Sequence, residues 1–303
     1  MLVRRQHGAV TWIDLESPNH AEVRKVASEF HIDPSIANEL MLPSIKARAE
    51  LHPSYVYAIF HFPALRHTHT SIAQEIDFVV GNQFLITTHY DTIDPLHTFS
   101  KSLEVQAALH KSGETMHGGH IFFALMEKLY RSVEHEIDAV RQDLRSIEEN
   151  IFSGYEVPMV AAISRSARSL LNLRQTIEPH REMLRTLEEE SHALFGQEFT
   201  PYARTLSSEY YRVHNHVMRH TDTLHELRET NNSLLTTKQS HIMKTFTVLA
   251  FFTLPLSLIA SIFSMNTHST PIVGGEHDFL IIVIAMTVVT GLMIWYFRRK
   301  KWL

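Results

Sequence analysis

The sequence predicts an α+β membrane protein in three parts. They are an N-terminal cytoplasmic α/β domain over residues 1–112, a cytoplasmic helical region with a long stalk over 113–244, and a C-terminal two-helix transmembrane hairpin over 245–303. Three observations carry this reading. Short apolar and aromatic runs alternate with helix starts over the first ninety residues. A stretch of 53 residues, 202–254, holds neither Gly nor Pro. Two uncharged runs of 19 residues, 245–263 and 279–297, stand near the end of the chain.

The N-terminal part follows from its punctuation. Residues 11–15 (TWIDL) read as a strand, and Ser17-Pro18 starts a helix over about 18–30 with Pro in the first turn. Asp33-Pro34 starts another. Residues 55–62 (YVYAIFHF), 76–80 and 84–88 are β-rich runs bounded by Pro and Gly-Asn, and Val80-Gly81-Asn82-Gln83 reads as a hairpin turn.

From about residue 95 the period changes to that of a helix. Phe122, Leu125, Leu129, Val133, Ile137, Val140, Leu144, Ile147 and Ile151 recur every three or four residues. Gly154 and Pro158 break this run. A second helix carries Val160, Ile163, Ala167, Leu170 and Ile177, and Pro179 is expected to end or kink it. A third begins near Pro201. As one helix, 202–254 is about 80 Å long and enters the first apolar run without a break. Val213, Val217, His220, Leu224, Leu227, Asn231 and Leu234 step by four and three, a heptad seam that fits either self-association or an intramolecular bundle.

Each apolar run is about 28 Å long as a helix, against a hydrocarbon core of ~30 Å, and the second ends in an aromatic Trp295-Tyr296 belt. Lys238 and Lys244 precede the first run. Arg298, Arg299, Lys300 and Lys301 follow the second. The connecting loop, 267–278, has no Lys or Arg and carries Glu276 and Asp278. Positive charge on the inner side places both termini in the cytoplasm and this loop outside, in a multi-pass protein of the cell's inner (plasma) membrane. The N-terminus has no apolar run, so no signal peptide is expected.

Composition narrows the function. A net charge of −5, from 28 basic and 33 acidic residues, argues against a nucleic-acid partner. With no cysteine there is no disulfide, thiolate nucleophile or Cys-ligated metal. Neither phosphate-binding glycine motif occurs, nor G-x-S-x-G, and His225-Glu226-Leu227-Arg228-Glu229 falls one His short of H-E-x-x-H. No enzyme and no cofactor are expected. Among the 22 histidines, His216 and His220 stand i, i+4 on the stalk, and His67/His69 and His117/His120 form looser pairs. None has a third ligand nearby in the chain, so solvated or interface roles are preferred.

Two spans cannot enclose an aqueous path, so a conduit needs several copies around an axis. Thr253, Ser257, Ser261 and Ser264 step four, four and three along one face of the first span. That stripe fits a pore lining, and equally hydroxyls that bond to their own backbone or tie helices together.

The first span ends in Phe263-Ser264-Met265-Asn266, and the chain closes on RRKKWL. With Glu39-Leu40 after Asp33-Pro34, the 84–89 strand (FLITTH), the long stalk and Pro255-Leu256 within the span, the whole chain resembles the CorA family of divalent-cation transport proteins. The resemblance implies a homopentameric funnel in the bilayer, with first spans lining the pore and second spans around them. It implies an outer selectivity ring at Asn266, the one residue expected to hold the hydrated ion. Pore-facing positions are Ser261, Ser257, Leu254, Ala250, Phe246, Met243, Ser240 and, deeper inside, Glu229. Mg²⁺ is the implied substrate, and also the regulator that holds the pore shut from the cytoplasmic side.

Phe263 and Ser264 stand where the family has Tyr and Gly. Glycine permits a positive φ at a helix end, so a Cβ at Ser264 is expected to reshape the mouth. Keeping Met265 favours Mg²⁺, with Co²⁺ or Ni²⁺ as passengers, over the zinc-moving ZntB branch. Glu276 and Asp278 either concentrate cations outside or are ordinary loop residues. Met243, Phe246 and Leu254 fit apolar constrictions that close by dewetting, with core packing as the plain alternative for Met243. The other readings are a zinc carrier and a membrane-anchored coiled-coil scaffold that conducts nothing.

Overall fold

The structure is a computed structural model that describes residues 1–63, 73–109, 117–265 and 277–300. Two compact units are present, Met1–Arg228 and Glu229–Leu303. In the first, six strands form one sheet: β1 (Leu2–His7), β2 (Val10–Glu16), β3 (Arg48–Leu51), β4 (Tyr55–Pro63), β5 (Ala73–Gly81) and β6 (Phe84–His89), in the order β1-β2-β6-β5-β4-β3. Only the β2–β6 pair is parallel, with Trp12 opposite Leu85 and Asp14 opposite Thr87. Burial on both faces explains why the inner strands are apolar almost throughout rather than alternating.

On one face, α1 (His20–Phe30) and α2 (Pro34–Glu39) bury Val23, Val26, Ile36 and Leu40 against Ile13, Tyr57, Ile59, Val79 and Ile86. Asn19 caps α1 in a capping box with Glu22, and Asp33 caps α2, whose first residue is proline. The other face packs on α3 (Asp94–Leu109) and α4 (Gly118–Phe152): Trp12 meets Phe99 edge-on at 5.9 Å and Phe78 meets Phe122 at 5.2 Å. A Cβ on Gly118 would stand 2.2 Å from the Gly81 carbonyl oxygen, so glycine is what lets the start of α4 touch the β5–β6 turn.

α5 (Glu156–Ile177) packs on α4, and α6 (His180–Phe195) follows it after two residues; then comes α7 (Thr200–Ser264), a single helix of 65 residues with Pro255 inside it. The heptad seam of α7 is used within the chain in this unit. Val213, Val217, Leu224 and Leu227 are buried, and the same helix meets α4 through Tyr210 on Tyr130 and an Arg212–Glu134 ion pair at 2.6 Å. The seam therefore belongs to an intramolecular bundle over these residues. The last helix is α8 (Asp278–Arg299).

Candidate functional site

The C-terminal unit contains the membrane-length parts of α7 and α8, with no buried residue in the most apolar window of either. At about 100° per residue, Met243, Phe246, Ala250, Leu254, Ser257 and Ser261 fall within an arc of about 80°, with Ser240 about 40° beyond it. All seven are exposed. Glu229, three turns below Ser240, is exposed on the same side. The partly covered residues from 248 to 263 are Val248, Phe252, Pro255, Leu256, Ile259 and Phe263. They occupy the opposite side, where Phe252 meets Phe297 of α8 with ring centroids 5.6 Å apart. The hairpin thus uses one side of α7 internally and leaves the Ser/Met/Phe/Leu stripe open.

Of the hydroxyls on the span, Thr253 donates to its own helix at the Leu249 carbonyl, 2.9 Å away, as serine and threonine do in apolar helices. Pro255 has no N–H to give Phe251, so that carbonyl is free of its helical donor. At the C-terminal end of α7, Ser264 is the last helical residue and Met265 N–H bonds to the Ile262 carbonyl at 3.3 Å. Among the described residues, positive φ at a non-glycine occurs only at Ser17 and His31. Ser264 therefore sits in backbone that any residue adopts. Asn266 and Glu276 lie outside the described residues, and Asp278 is the first residue of α8.

The expected histidine pairs separate on inspection. His117 Nδ1 accepts from the Gly119 N–H at 2.9 Å and His120 Nδ1 from the His117 N–H at 3.2 Å, so these rings cap α4. His216 and His220 are adjacent, with ring centroids 6.5 Å apart. Burial and then the neighbouring His216 lower the proton affinity of His220. His67 and His69 lie outside the described residues. Among the described residues no group of three or more His, Asp or Glu is placed to hold a metal ion.

Two polar centres of the first unit escaped the sequence reading. One is Asp77 on β5, 1% exposed, whose two carboxylate oxygens meet no hydrogen-bond donor. Glu75 stands two residues back on the same sheet face and accepts the Ser44 N–H at 2.7 Å. Burial first, then the charge of Glu75, pushes the Asp77 carboxyl well above the usual range. The other is His180, fully buried between Tyr130 and the His61 carbonyl. An aspartate inside IDFVV is the only trace of the first in the sequence; nothing in the segment around Pro179 marks the second.

Asp77 makes a stability prediction. A carboxyl held above its unfolded pKa of 3.8 binds its proton more tightly in the native state, so this residue costs stability as pH rises above that value. Asp77→Asn keeps the neutral form at every pH and supplies a donor to Glu75. It is expected to stabilise the protein by about 1–2 kcal/mol at pH 7 and by nothing near pH 3.5, read from denaturant midpoints across that range.

Comparison with known proteins agrees with the fold and the two-span layout. The profile described as CorA-like Mg²⁺ transporter protein matches residues 7–299. The cobalt/magnesium transport protein CorA of Thermotoga maritima is 21% identical over 99% of this chain and 85% of its own length. The complete CorA magnesium transporter of Methanocaldococcus jannaschii superposes with a TM-score of 0.84 at 18% identity, covering 99% of this chain and 94% of that one. The ZntB cytoplasmic domain from Vibrio parahaemolyticus gives 0.62 at 13% identity, over 75% of this chain and 88% of that one. With a profile match across nearly its whole length, the chain belongs to the CorA-like Mg²⁺ transporter family.

Proposed function

We propose that this chain conducts divalent cations, Mg²⁺ first, inward across the plasma membrane through a pore lined by five copies of α7. The observation that carries this is the open stripe from Ser240 to Ser261, which faces away from α8 and joins hydroxyls to apolar side chains. Ser257 and Ser261 on this uncovered face suit a surface that meets water or neighbouring copies of the helix better than one that meets lipid. Membership of a family of divalent-cation transporters supports the same reading.

The chemistry follows from the ion. Mg²⁺ gives up its waters reluctantly. A ring of Asn266 amide oxygens at the outer mouth accepts hydrogen bonds from those waters without replacing them, and Glu276 and Asp278 raise the local cation concentration. Further in, Met243, Phe246 and Leu254 form apolar rings that pass a hydrated ion only when wide enough to stay wet. A doubly charged ion crossing 100 mV inside-negative gains about 4.6 kcal/mol, more than three decades of accumulation, so no nucleotide is needed.

The test is metal influx into sealed proteoliposomes for Mg²⁺, Co²⁺, Ni²⁺ and Zn²⁺. Mg²⁺ influx that follows an imposed inside-negative potential and needs no proton gradient is the expected result. Zn²⁺ influx alone, dependent on a proton gradient, moves the chain to a ZntB-like activity. Failure to move any ion, with and without internal Mg²⁺, leaves a membrane-anchored scaffold.

A further inference from the structure

We propose that the C-terminal hairpin holds one anionic phospholipid of the cytoplasmic leaflet in a groove along α8, the acyl chain on its apolar wall and the phosphate at Lys300 and Arg299. This rests on the two-span reading with the chain ends inside. Val289, Leu292, Met293, Tyr296 and Lys300 line a cavity of about 690 Å³ with Phe251 of α7 as the facing wall. Their spacing of three, one, three and four puts them on one face of α8. Phe297, 5.9 Å from Phe251 between ring centroids, ties the two helices together at this point.

Dimensions and charge select the occupant. From Val289 to Lys300 the groove runs about 16 Å along the helix. Half of a ~30 Å hydrocarbon core is ~15 Å, so the apolar part spans one leaflet and its basic end reaches the headgroups. Trp295 and Tyr296, both more than half exposed, mark that boundary, and the Arg299 guanidinium stacks 5.5 Å from the Trp295 ring centroid. A spanning helix from a second copy would fill the apolar wall but would bring no anion to this level. The sequence has no Asp or Glu from 230 to 275, and Glu276 and Asp278 lie at the opposite end of α8. A lipid phosphate supplies both the chain and the charge.

The test places the full chain, with Trp302→Phe so that Trp295 reports, in phosphatidylcholine vesicles containing a low fraction of either brominated phosphatidylglycerol or brominated phosphatidylcholine. Trp12, buried in the sheet core, is shielded from lipid bromine. Brominated phosphatidylglycerol is expected to quench about fivefold or more strongly than the neutral lipid at equal fraction. Arg299→Gln with Lys300→Gln should bring the ratio to about one, while Arg299→Lys should retain it. Equal quenching by both lipids in the parent chain would overturn the proposal by showing an unselective annulus. Quenching by neither would overturn it by showing a groove covered by protein. The Asn266→Ala chain, impaired in conduction if the transport reading is right, should keep the full quenching ratio. A chain that moves no ion yet keeps the ratio refutes transport and leaves the lipid site standing.

Discussion

Asn266→Ala is expected to lower potential-driven Mg²⁺ influx by about a hundredfold or more at equal protein in the vesicles. The size follows from what the amide does. In the proposed pore, a hydrated Mg²⁺ at the mouth would lose part of its second hydration shell, and the Asn266 oxygens of five copies would replace those water contacts. If each contributes a net of about 0.5–1 kcal/mol, toward the low end for a protein hydrogen bond, the ring contributes ~3–5 kcal/mol, and 1.4 kcal/mol is tenfold. Alanine removes the acceptors and leaves a methyl collar that a hydrated ion has no reason to enter. Asn266→Asp, which keeps oxygen acceptors and adds charge, should conduct but discriminate poorly among Mg²⁺, Co²⁺ and Ni²⁺. Unchanged Mg²⁺ influx in the alanine variant would mean that selection is made elsewhere along the stripe.

Much of the fold was legible because its signals are local. Residues 55–62 read as β because both faces of that strand are buried, and α7 read as one helix because nothing in 202–254 interrupts it. The elements that escaped are those whose pattern is set by their edges. β1 (LVRRQH) and β3 (RAEL) are outer strands with charged residues toward water, so neither shows an apolar run. α6 begins directly after Pro179, where α5 was expected to end or kink and where no further helix was expected before Pro201. The exposed stripe of α7 that the proposed pore uses was partly legible from spacing: Ser257 and Ser261 came from periodicity, whereas Ala250 and Phe246 came only from the family resemblance. What periodicity could not supply is which side of α7 is covered. That depends on Phe252 meeting Phe297, 45 positions later. The consequence of the heptad seam was likewise undecidable, since Val213 and Val217 are buried beside Arg212, which pairs with Glu134 of α4, 78 positions earlier.

His180 illustrates the same point energetically and gives the largest expected loss of stability. Its Nε2 faces the His61 carbonyl at 2.9 Å, and a carbonyl only accepts, so Nε2 carries the proton. Nδ1 is then the acceptor, and Tyr130 O–H donates to it at 2.8 Å. The ring packs edge-on against Phe60 and Phe62 at 5.0 and 5.1 Å, closing β4, α4 and α6 around one neutral imidazole. His180→Ala opens a cavity among these rings and leaves the buried Tyr130 hydroxyl and His61 carbonyl unpaired, an expected cost of about 3–5 kcal/mol at pH 7. Burial pushes the imidazole pKa down from 6.5 to about 3. Below pH 6.5 the unfolded chain therefore binds a proton that the native state refuses, and the wild type loses about 1.4 kcal/mol per pH unit from this residue as pH falls toward 3. The alanine variant has no such loss. The stability gap between the two should thus narrow by about 2 kcal/mol between pH 6.5 and pH 5, followed by denaturant unfolding with the buried Trp12 as reporter. His89, whose pKa is raised, binds its proton more tightly when folded and acts equally in both chains, while a charged His61 disfavours a second charge on His180 and so acts in the same direction as burial. A gap that stays constant across that window would mean that the native ring accepts a proton, so that the His61 carbonyl and a rotated Tyr130 hydroxyl outweigh the cost of burying the charge.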